Sequence, residues 1–433
     1  MNSLAIELNE ILKDTAVGRM LSGFGKRIYF PHGIIAQSAE AKKSARTANG
    51  TIGMAYSGGK PMLLPALKRC LPDFEDEEIV AYAPTAGNEK VRELWKKLLL
   101  QKNPSLNPAH ISLPVVTPGI TASISYTAEL FLDPGQTILS AYPAWDNYAL
   151  IFEERVGAVM RGVSFFDSAG CLDIPKIREA VQEEARKGSV RVILNFPNNP
   201  AGYSPNETEA RAIAQCLYEA AESGADVLAI CDDAYFGFFY EDDIYKESIF
   251  SLLSGLHERV LAVKTDGPTK EDYNWGLRLA MVTIGSKGLQ SRHFDALVTK
   301  FMGTIRSSVS CSNTLAQSMF LKTCADESTS AQKTVFFDIM KERYNEVKKI
   351  VRAHKYHPRL TPMPFNSGYF MSMRCNGIDA GRLRRELLEK YGIGVIAFGG
   401  EYIRVAFSAI EKELLPEVFT AIYEAALNIP SSS

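Results

Sequence analysis

Val190-Arg191-Val192-Ile193-Leu194-Asn195 runs straight into Phe196-Pro197-Asn198-Asn199-Pro200-Ala201-Gly202. The first part is β-branched and apolar, as in a strand covered on both faces. The second is a turn rich in proline and asparagine. Glu207–Glu222 then carries apolar residues at helical spacing. Asp226–Cys231 is another apolar run, stopping at Asp232-Asp233-Ala234-Tyr235. Strand, turn, helix, strand is the repeating unit of a parallel sheet with helices on both faces.

Working outward, the same rhythm continues. Ile111–Val116, Thr137–Ser140, Arg259–Lys264 and Leu279–Ile284 read as further buried strands, and Thr121–Phe131 and Pro175–Lys187 as helices. The C-terminal third changes character. A long charged helix is predicted over about Ala331–His354, then strands at Tyr369–Arg374 and Tyr402–Ser408, and amphipathic helices at Ala380–Tyr391 and Lys412–Asn428. The expected organisation is an α/β body over residues 51–320 and a smaller α+β domain over 321–433. Residues 1–50 lack the strand–helix rhythm and are expected to pack with the smaller domain.

The 433 residues are enough for two or three domains and a large core. A net charge of −2 gives no global attraction for nucleic acid or an anionic membrane, so neither is expected as a partner and any anion site must be local. Seven scattered cysteines include no Cys-x-x-Cys pair, which fits free thiols in a reducing compartment and a cytoplasmic location. His354 and His357 lack acidic or thiol partners nearby, so no metal site is expected. The N-terminus lacks the basic head and apolar run of a secretory signal, and no stretch of about 18 apolar residues is present.

In parallel sheets, ligands gather at the carboxyl ends of the strands. Three candidate groups follow strands here: Asn199, Asp232 and Lys270. Lys270 lies in Thr269-Lys270-Glu271-Asp272-Tyr273-Asn274-Trp275-Gly276-Leu277-Arg278. Lys264 competes with it, but only Lys270 has an arginine eight residues on, suited to a phosphate. Asp232, rather than the alternative Asp233, stands three before Tyr235. The pair suits a ring nitrogen and a ring hydroxyl. Thr117-Pro118-Gly119-Ile120-Thr121 opens a helix after a strand, so Ile120 and Thr121 offer donors to a phosphate. Trp145 in Pro143-Ala144-Trp145 is placed to cover an aromatic ring. Arg404, in an otherwise apolar strand, suits a substrate carboxylate. A reactive amine, an acid, an amide, a phenol and two arginines together fit pyridoxal 5′-phosphate.

The pattern resembles the fold-type I pyridoxal-phosphate enzymes, and among them the class I aminotransferases related to aspartate aminotransferase. Asn199-Pro200-Ala201-Gly202 is similar to the family's Asn-Pro-Thr-Gly, Pro143-Ala144-Trp145 to its Pro-Ser-Trp. Asp232-x-Ala234-Tyr235 and Lys270 with Arg278 match in order and spacing. Tyr82-Ala83-Pro84-Thr85-Ala86-Gly87 resembles the segment whose tyrosine reaches the phosphate of the neighbouring subunit. Thr51-Ile52-Gly53-Met54 resembles the segment near the substrate carboxylate.

The resemblance implies a mostly parallel seven-stranded sheet sandwiched by helices, a homodimer with shared active sites, and an aminotransferase acting on an amino acid and a 2-oxo acid by a ping-pong mechanism. Lys270 is implied as the lysine joined to the cofactor and as the proton carrier. Ile120, Thr121, Trp145, Asn199, Asp232, Tyr235, Thr269, Arg278 and Tyr82 (toward the partner subunit) are implied as cofactor contacts. Arg404, Asn199, Gly53 and Trp145 are implied as substrate contacts. Side-chain specificity is expected from Gly33, Ile34, Trp145 and the partner subunit. A β-lyase, a cyclopropane-forming synthase and a non-catalytic cofactor-binding regulator are the alternatives on this scaffold.

Two departures stand out. Gly267 occupies the place of a phosphate-binding serine, with Thr269 or Thr265 as substitutes. Ser312–Phe320 lacks the arginine that grips a distal carboxylate in aspartate-specific relatives, which shifts the expectation from a dicarboxylate toward a neutral or aromatic side chain.

Overall fold

The computed structural model of the chain describes residues 1–12, 26–27, 34–71, 73–167 and 170–431, so Gly33 lies outside the described residues, and of Ile34 only the backbone is described. Seven strands form the central sheet: β1 (Val115–Thr117), β2 (Thr137–Tyr142), β3 (Val159–Ser164), β4 (Ser189–Asn195), β5 (Asp226–Asp232), β6 (Val260–Asp266) and β7 (Ala280–Gly285). Their spatial order is β1-β7-β6-β5-β4-β2-β3. The neighbours from β6 to β3 run parallel, and β7 is antiparallel to both β1 and β6. The mostly parallel seven-stranded sheet expected from the sequence is therefore present.

Two differences have physical causes. The strand expected from Ile111 begins only at Val115; Ile111 makes a lone bridge to Gly285, and Pro114 has no N–H to continue the ladder. β3 was not among the apolar runs. It is an edge strand whose residues alternate between exposed and half-buried, and it includes Arg161, Gly162 and Ser164.

The sheet is covered on both faces by α1 (Glu89–Lys102), α2 (Ile120–Phe131), α3 (Ile174–Ala185) and α4 (Glu207–Glu222), among other helices. Alternation along β4 assigns the layers. Val192 and Leu194 sink into one core with Ile177, Val181, Ile213 and Leu217 from α3 and α4. Ile193 belongs to the core on the other face, with Ile124 of α2. Helix starts are chemically marked. Asn206 accepts from Glu209 N, while the Glu209 carboxylate accepts from Asn206 N, which closes a capping box on α4.

A second, four-stranded antiparallel sheet follows: β8 (Leu360–Pro362), β9 (Phe370–Cys375), β10 (Ile396–Phe398) and β11 (Tyr402–Ala406), in the order β8-β9-β11-β10. Helices α5 (Thr329–Ala353) and α6 (Leu415–Asn428) pack together beside it. The helix expected over Ala380–Tyr391 divides into Ala380–Glu386 and a wider turn, Leu387–Tyr391, that closes on left-handed Gly392. The N-terminal helix Ile34–Ser44 lies against this unit. Gln37 bonds both the N–H and the C=O of Ala397, and Ala48–Asn49 pairs in parallel with Ile393–Gly394.

The two sheets meet at the turn after β4. Ser372 Oγ on β9 donates to the Pro200 carbonyl at 2.7 Å. Gly202 has φ +81°, and a Cβ there would stand 1.9 Å from the Phe370 carbonyl oxygen, so no larger residue fits this contact. The turn carrying Asn199 is thereby fixed between the sheets.

Candidate active site

Register places the ends of β4, β5 and β6 in one row: Asn195 opposite Asp232, and Asp232 opposite Thr265. Asn195 is a strut that the sequence reading missed. Its Nδ2 donates to the Asp232 carbonyl at 2.9 Å, and its Oδ1 accepts from Asn199 N at 2.8 Å. It thus ties the asparagine turn to the acid.

The two adjacent aspartates point to different partners. Asp233 is buried in an ion pair with Lys264 and accepts from Ser248 Oγ at 2.5 Å. Asp232 accepts from the Tyr148 hydroxyl and from Ala234 N at 3.1 Å. Burial raises the Asp232 pKa, against the pull of Tyr148 and Lys270. A cationic group brought to this carboxylate would restore its charge. Tyr148 is a second residue the sequence reading passed over. Its ring also meets Trp145 edge-on, with centroids 5.4 Å apart, so Trp145, Tyr148 and Asp232 form one connected wall.

The lysines are sorted in the same way. Lys264 is fully buried between Asp233 and Asp266, the latter at 3.1 Å. Burial opposes its charge, but the two carboxylates outweigh that effect and raise its pKa. It is a held ammonium. Lys270 sits on the short helix Pro268–Glu271, with Nζ 4.9 Å from the centre of the Tyr235 ring. Burial lowers its pKa to about 8; Asp232 opposes the shift and Arg278 adds to it. A free amine is therefore accessible near neutral pH, as nucleophilic and proton-transfer chemistry needs.

Tyr235 is buried, its ring edge-on to Tyr369 and Phe370. A Cβ on Gly53 would lie 3.6 Å from its hydroxyl and 3.7 Å from the Phe370 ring, so the Thr51–Met54 segment does reach this wall. Arg404 lies 4.2 Å over the Phe370 ring and is 3 % exposed. Its Nη1 donates to Asn199 Oδ1 at 2.8 Å and its Nη2 to the Thr51 carbonyl at 3.3 Å. Its Nε is buried without a hydrogen bond, and among the described residues no carboxylate forms an ion pair with it. Burial lowers its pKa, with Tyr235 and Asp146 opposing. A buried guanidinium held by neutral acceptors, with a donor to spare, has the chemistry to accept an incoming anion.

The start of α2 gathers donors and a cation of the kind an anion would need. The amides of Ile120 and Thr121 lead the helix and have no intrahelical acceptors. The Arg278 guanidinium lies against Gly119, where a Cβ would stand 2.3 Å from Nη2. Gly119 has φ +101°, a second reason for glycine. A guanidinium beside the positive end of a helix is repulsive unless an anion sits between them.

Thr269 does not join this group: its hydroxyl donates to the Leu279 carbonyl at 3.1 Å. Thr265 likewise donates to the Cys231 carbonyl, at 3.3 Å. Neither hydroxyl is free to take the place of the absent serine. Gly267 explains the absence. A Cβ there would stand 2.8 Å from both Ala280 Cα and the Leu279 carbonyl oxygen, so β7 occupies the space a serine needs.

Tyr82 is 91 % exposed, far from self-contained burial. Its segment is nevertheless built. Thr314 Oγ1 donates to the Ala81 carbonyl at 2.5 Å, Ser318 Oγ to the Glu78 carbonyl at 2.9 Å, and Gln317 Oε1 accepts from Asn88 N at 2.8 Å. The stretch that lacks the expected arginine thus serves as a buttress for the Tyr82 strip.

The family model for class I and II aminotransferases matches residues 54–422, which include every site residue described above except Thr51 and Gly53. The chain belongs to the class I and II aminotransferase family. The aspartate aminotransferase of Sulfurisphaera tokodaii is 23 % identical over 395 residues, covering 88 % of this chain and 90 % of that protein. The aspartate/prephenate aminotransferase of Thermus thermophilus is 23 % identical over 412 residues, 91 % and 96 % of the two chains. In fold, an aminotransferase from Anaerococcus prevotii superposes with a TM-score of 0.81 at 23 % identity, covering 92 % and 98 %. An archaeal alanine:glyoxylate aminotransferase does so at 0.77 and 20 % identity, covering 96 % and 100 %. Amino-group transfer is the activity that family membership supports, and the β-lyase, synthase and regulator alternatives are not favoured.

Proposed function

We propose that the chain moves an amino group between an L-amino acid and a 2-oxo acid with pyridoxal 5′-phosphate as cofactor, in a ping-pong cycle. The observation that carries this reading is the convergence of four otherwise costly groups: a depressed lysine, a buried acid, a buried guanidinium that forms no carboxylate ion pair among the described residues, and an arginine at a helix N-terminus. Each is offset by one part of the cofactor or substrate.

Pyridoxal phosphate supplies an electron-accepting ring that weakens the Cα–H bond of an amino acid attached to it. Ile120 N, Thr121 and Arg278 would hold its phosphate, Asp232 its ring nitrogen, Asn199 and Tyr235 its ring oxygen, and Trp145 one face. Asp232, fixed by Tyr148 and Ala234 N, would keep a proton on the ring nitrogen. Arg404 orients the substrate through its α-carboxylate, with Asn199 and Thr51 setting the angle of the guanidinium, and Gly53 leaves room for it. Lys270 would serve as the base and acid that carries a proton between the substrate's Cα and the cofactor's C4′, across the nitrogen between them.

We further infer a homodimer in which Tyr82 reaches the phosphate of the partner's site. The exposure of Tyr82, with Ile79 and Val80 beside it, supports this. The free state of all seven cysteines supports a cytoplasmic location.

The test is to incubate the cofactor-loaded protein with single amino acids and follow pyridoxamine phosphate. The expected result is its accumulation with the matching 2-oxo acid, reversed by adding 2-oxoglutarate or pyruvate. Release of ammonia and pyruvate without pyridoxamine phosphate would sink transamination. The same screen names the amino donor.

A further inference from the structure

The segment that carries both Lys270 and Arg278 is strained. Tyr273 has φ +55° and Arg278 φ +54°, both left-handed and neither a glycine. Its internal backbone hydrogen bonds are short-range turns: Asp272 N to Pro268 O at 2.9 Å, Tyr273 N to Lys270 O at 3.2 Å, Asn274 N to Thr269 O at 3.2 Å and Leu277 N to Asn274 O at 3.0 Å. Such a conformation persists only where its surroundings determine it.

Those surroundings include four charges that the reading of the site leaves unused. Glu271 and Asp272 directly follow Lys270. Lys102, the last residue of α1, meets Glu271 at 2.6 Å. Lys333, in the second turn of α5, meets Asp272 at 2.6 Å and Glu271 at 3.4 Å. Three residues further along α5, Phe336 packs edge-on against the Tyr273 ring, with centroids 5.0 Å apart. One helix therefore grips the segment twice, by charge and by aromatic contact. Glu271, Asp272 and Tyr273 also border a cavity of about 650 Å³ between α1 and the start of α5, so the grip closes over a gap rather than over solid packing. Burial opposes charge on Glu271 and Lys333, but Lys102 and Lys333 together outweigh it at Glu271 and lower that carboxyl, and Glu271 and Asp272 together outweigh it at Lys333 and raise that lysine.

We propose that Lys333, together with Lys102, is a positioning residue for amino transfer: by gripping Asp272 and Glu271 it holds the left-handed segment that presents Lys270 and Arg278 to one site. Neither lysine touches substrate or cofactor. Each acts through the backbone between the amine and the phosphate-binding arginine. The inference rests on the pyridoxal-phosphate reading, and α5 extends from this grip to the helices beside the second sheet, so it joins Lys270 to that part of the molecule.

The test uses the full-length, cofactor-loaded protein with Lys333→Met, Lys333→Arg and Asp272→Asn. Three quantities are read: the visible circular dichroism of the bound cofactor, its rate of release into a trap, and kcat and KM for the best amino donor. For Lys333→Met the expected result is altered dichroism and about tenfold faster release, the scale of coupling between contacting charged residues. kcat should fall by about the same factor with KM changed less than about twofold, because Arg404 is untouched. Lys333→Arg, which keeps the charge, should recover most of the loss. Lys333→Met with a lowered melting temperature but wild-type dichroism, release and kcat would overturn the proposal, leaving an ordinary stabilising pair. Should Lys333→Met fail to fold, Asp272→Asn decides: faster release supports the proposal, and wild-type release overturns it. A wild-type protein that shows no cofactor band at all would instead fail the underlying reading.

Discussion

Lys264 and Lys270 lie six residues apart and end in opposite states because their carboxylate neighbours differ. Lys264 has two acids in contact and keeps its proton. Lys270 has Asp232 nearby, but burial and Arg278 prevail. Lys270→Ala should therefore abolish the absorbance band of the bound cofactor. Lys264→Ala should keep the band in whatever protein folds, yet destabilise by about 3–5 kcal/mol, because two buried carboxylates lose their cation. Loss of the band in Lys264→Ala alone would reverse the assignment. The Lys270 pKa of about 8 also fixes a sign. Only the neutral amine attacks an aldehyde, so cofactor uptake by the cofactor-free protein should rise from pH 7 to pH 9 by about tenfold, with its midpoint near the lysine pKa. A flat profile would show that another step or residue governs uptake. At Arg404, a lysine cannot reproduce the planar fork that spans Asn199, Thr51 and a carboxylate. Arg404→Lys should lower kcat/KM for amino acids by about 10- to 100-fold, the scale of a charged hydrogen bond, while the cofactor band stays intact.

At the scale of elements, the site is a set of strand ends plus one helix start, and the contact between β6 and β7 sets its limits. Gly267 leaves β6 where β7 comes closest, so Gly267→Ser, the substitution the family pattern invites, should not improve phosphate binding. It should cost about 1–3 kcal/mol from overpacking, read as a lower melting temperature and weaker cofactor retention. Tighter cofactor binding in Gly267→Ser would show that β7 yields. The same geometry explains what could be read in advance. Buried parallel strands are continuous apolar runs, so β4, β5 and β6 and the residues just past them were legible, and with them Asn199, Asp232 and Lys270. β3 was not, because an edge strand with half-exposed alternation carries no such run. Tyr148 was hidden for another reason. Its bond to Asp232 spans 84 positions, and nothing in its own neighbourhood distinguishes it from the other tyrosines. The direction of the Thr269 hydroxyl, toward Leu279 rather than the start of α2, likewise depends on tertiary approach and not on spacing.

At the scale of the whole molecule, the decisive question is whether one chain contains a complete site. The lysine, acid, arginines and helix start all converge within one chain, yet Tyr82 projects into solvent on a strip that Thr314, Gln317 and Ser318 hold in place. An ordered support for an exposed aromatic strip argues for a second copy covering it. In a two-fold dimer each site would then draw Lys270 from one protomer and Tyr82 from the other. Two defective variants test this against the self-contained alternative. Lys270→Ala chains lack the amine, and Tyr82→Ala chains lack the borrowed phenol. In a mixed dimer one site receives both defects and the other receives neither. Unfolding and refolding an equal mixture should therefore restore about a quarter of wild-type activity, since half the dimers are mixed and each has one sound site. If each chain carried its whole site, the mixed dimer would hold two singly defective sites. The mixture would then do no better than the average of the two variants, and sedimentation would show whether a dimer had formed at all.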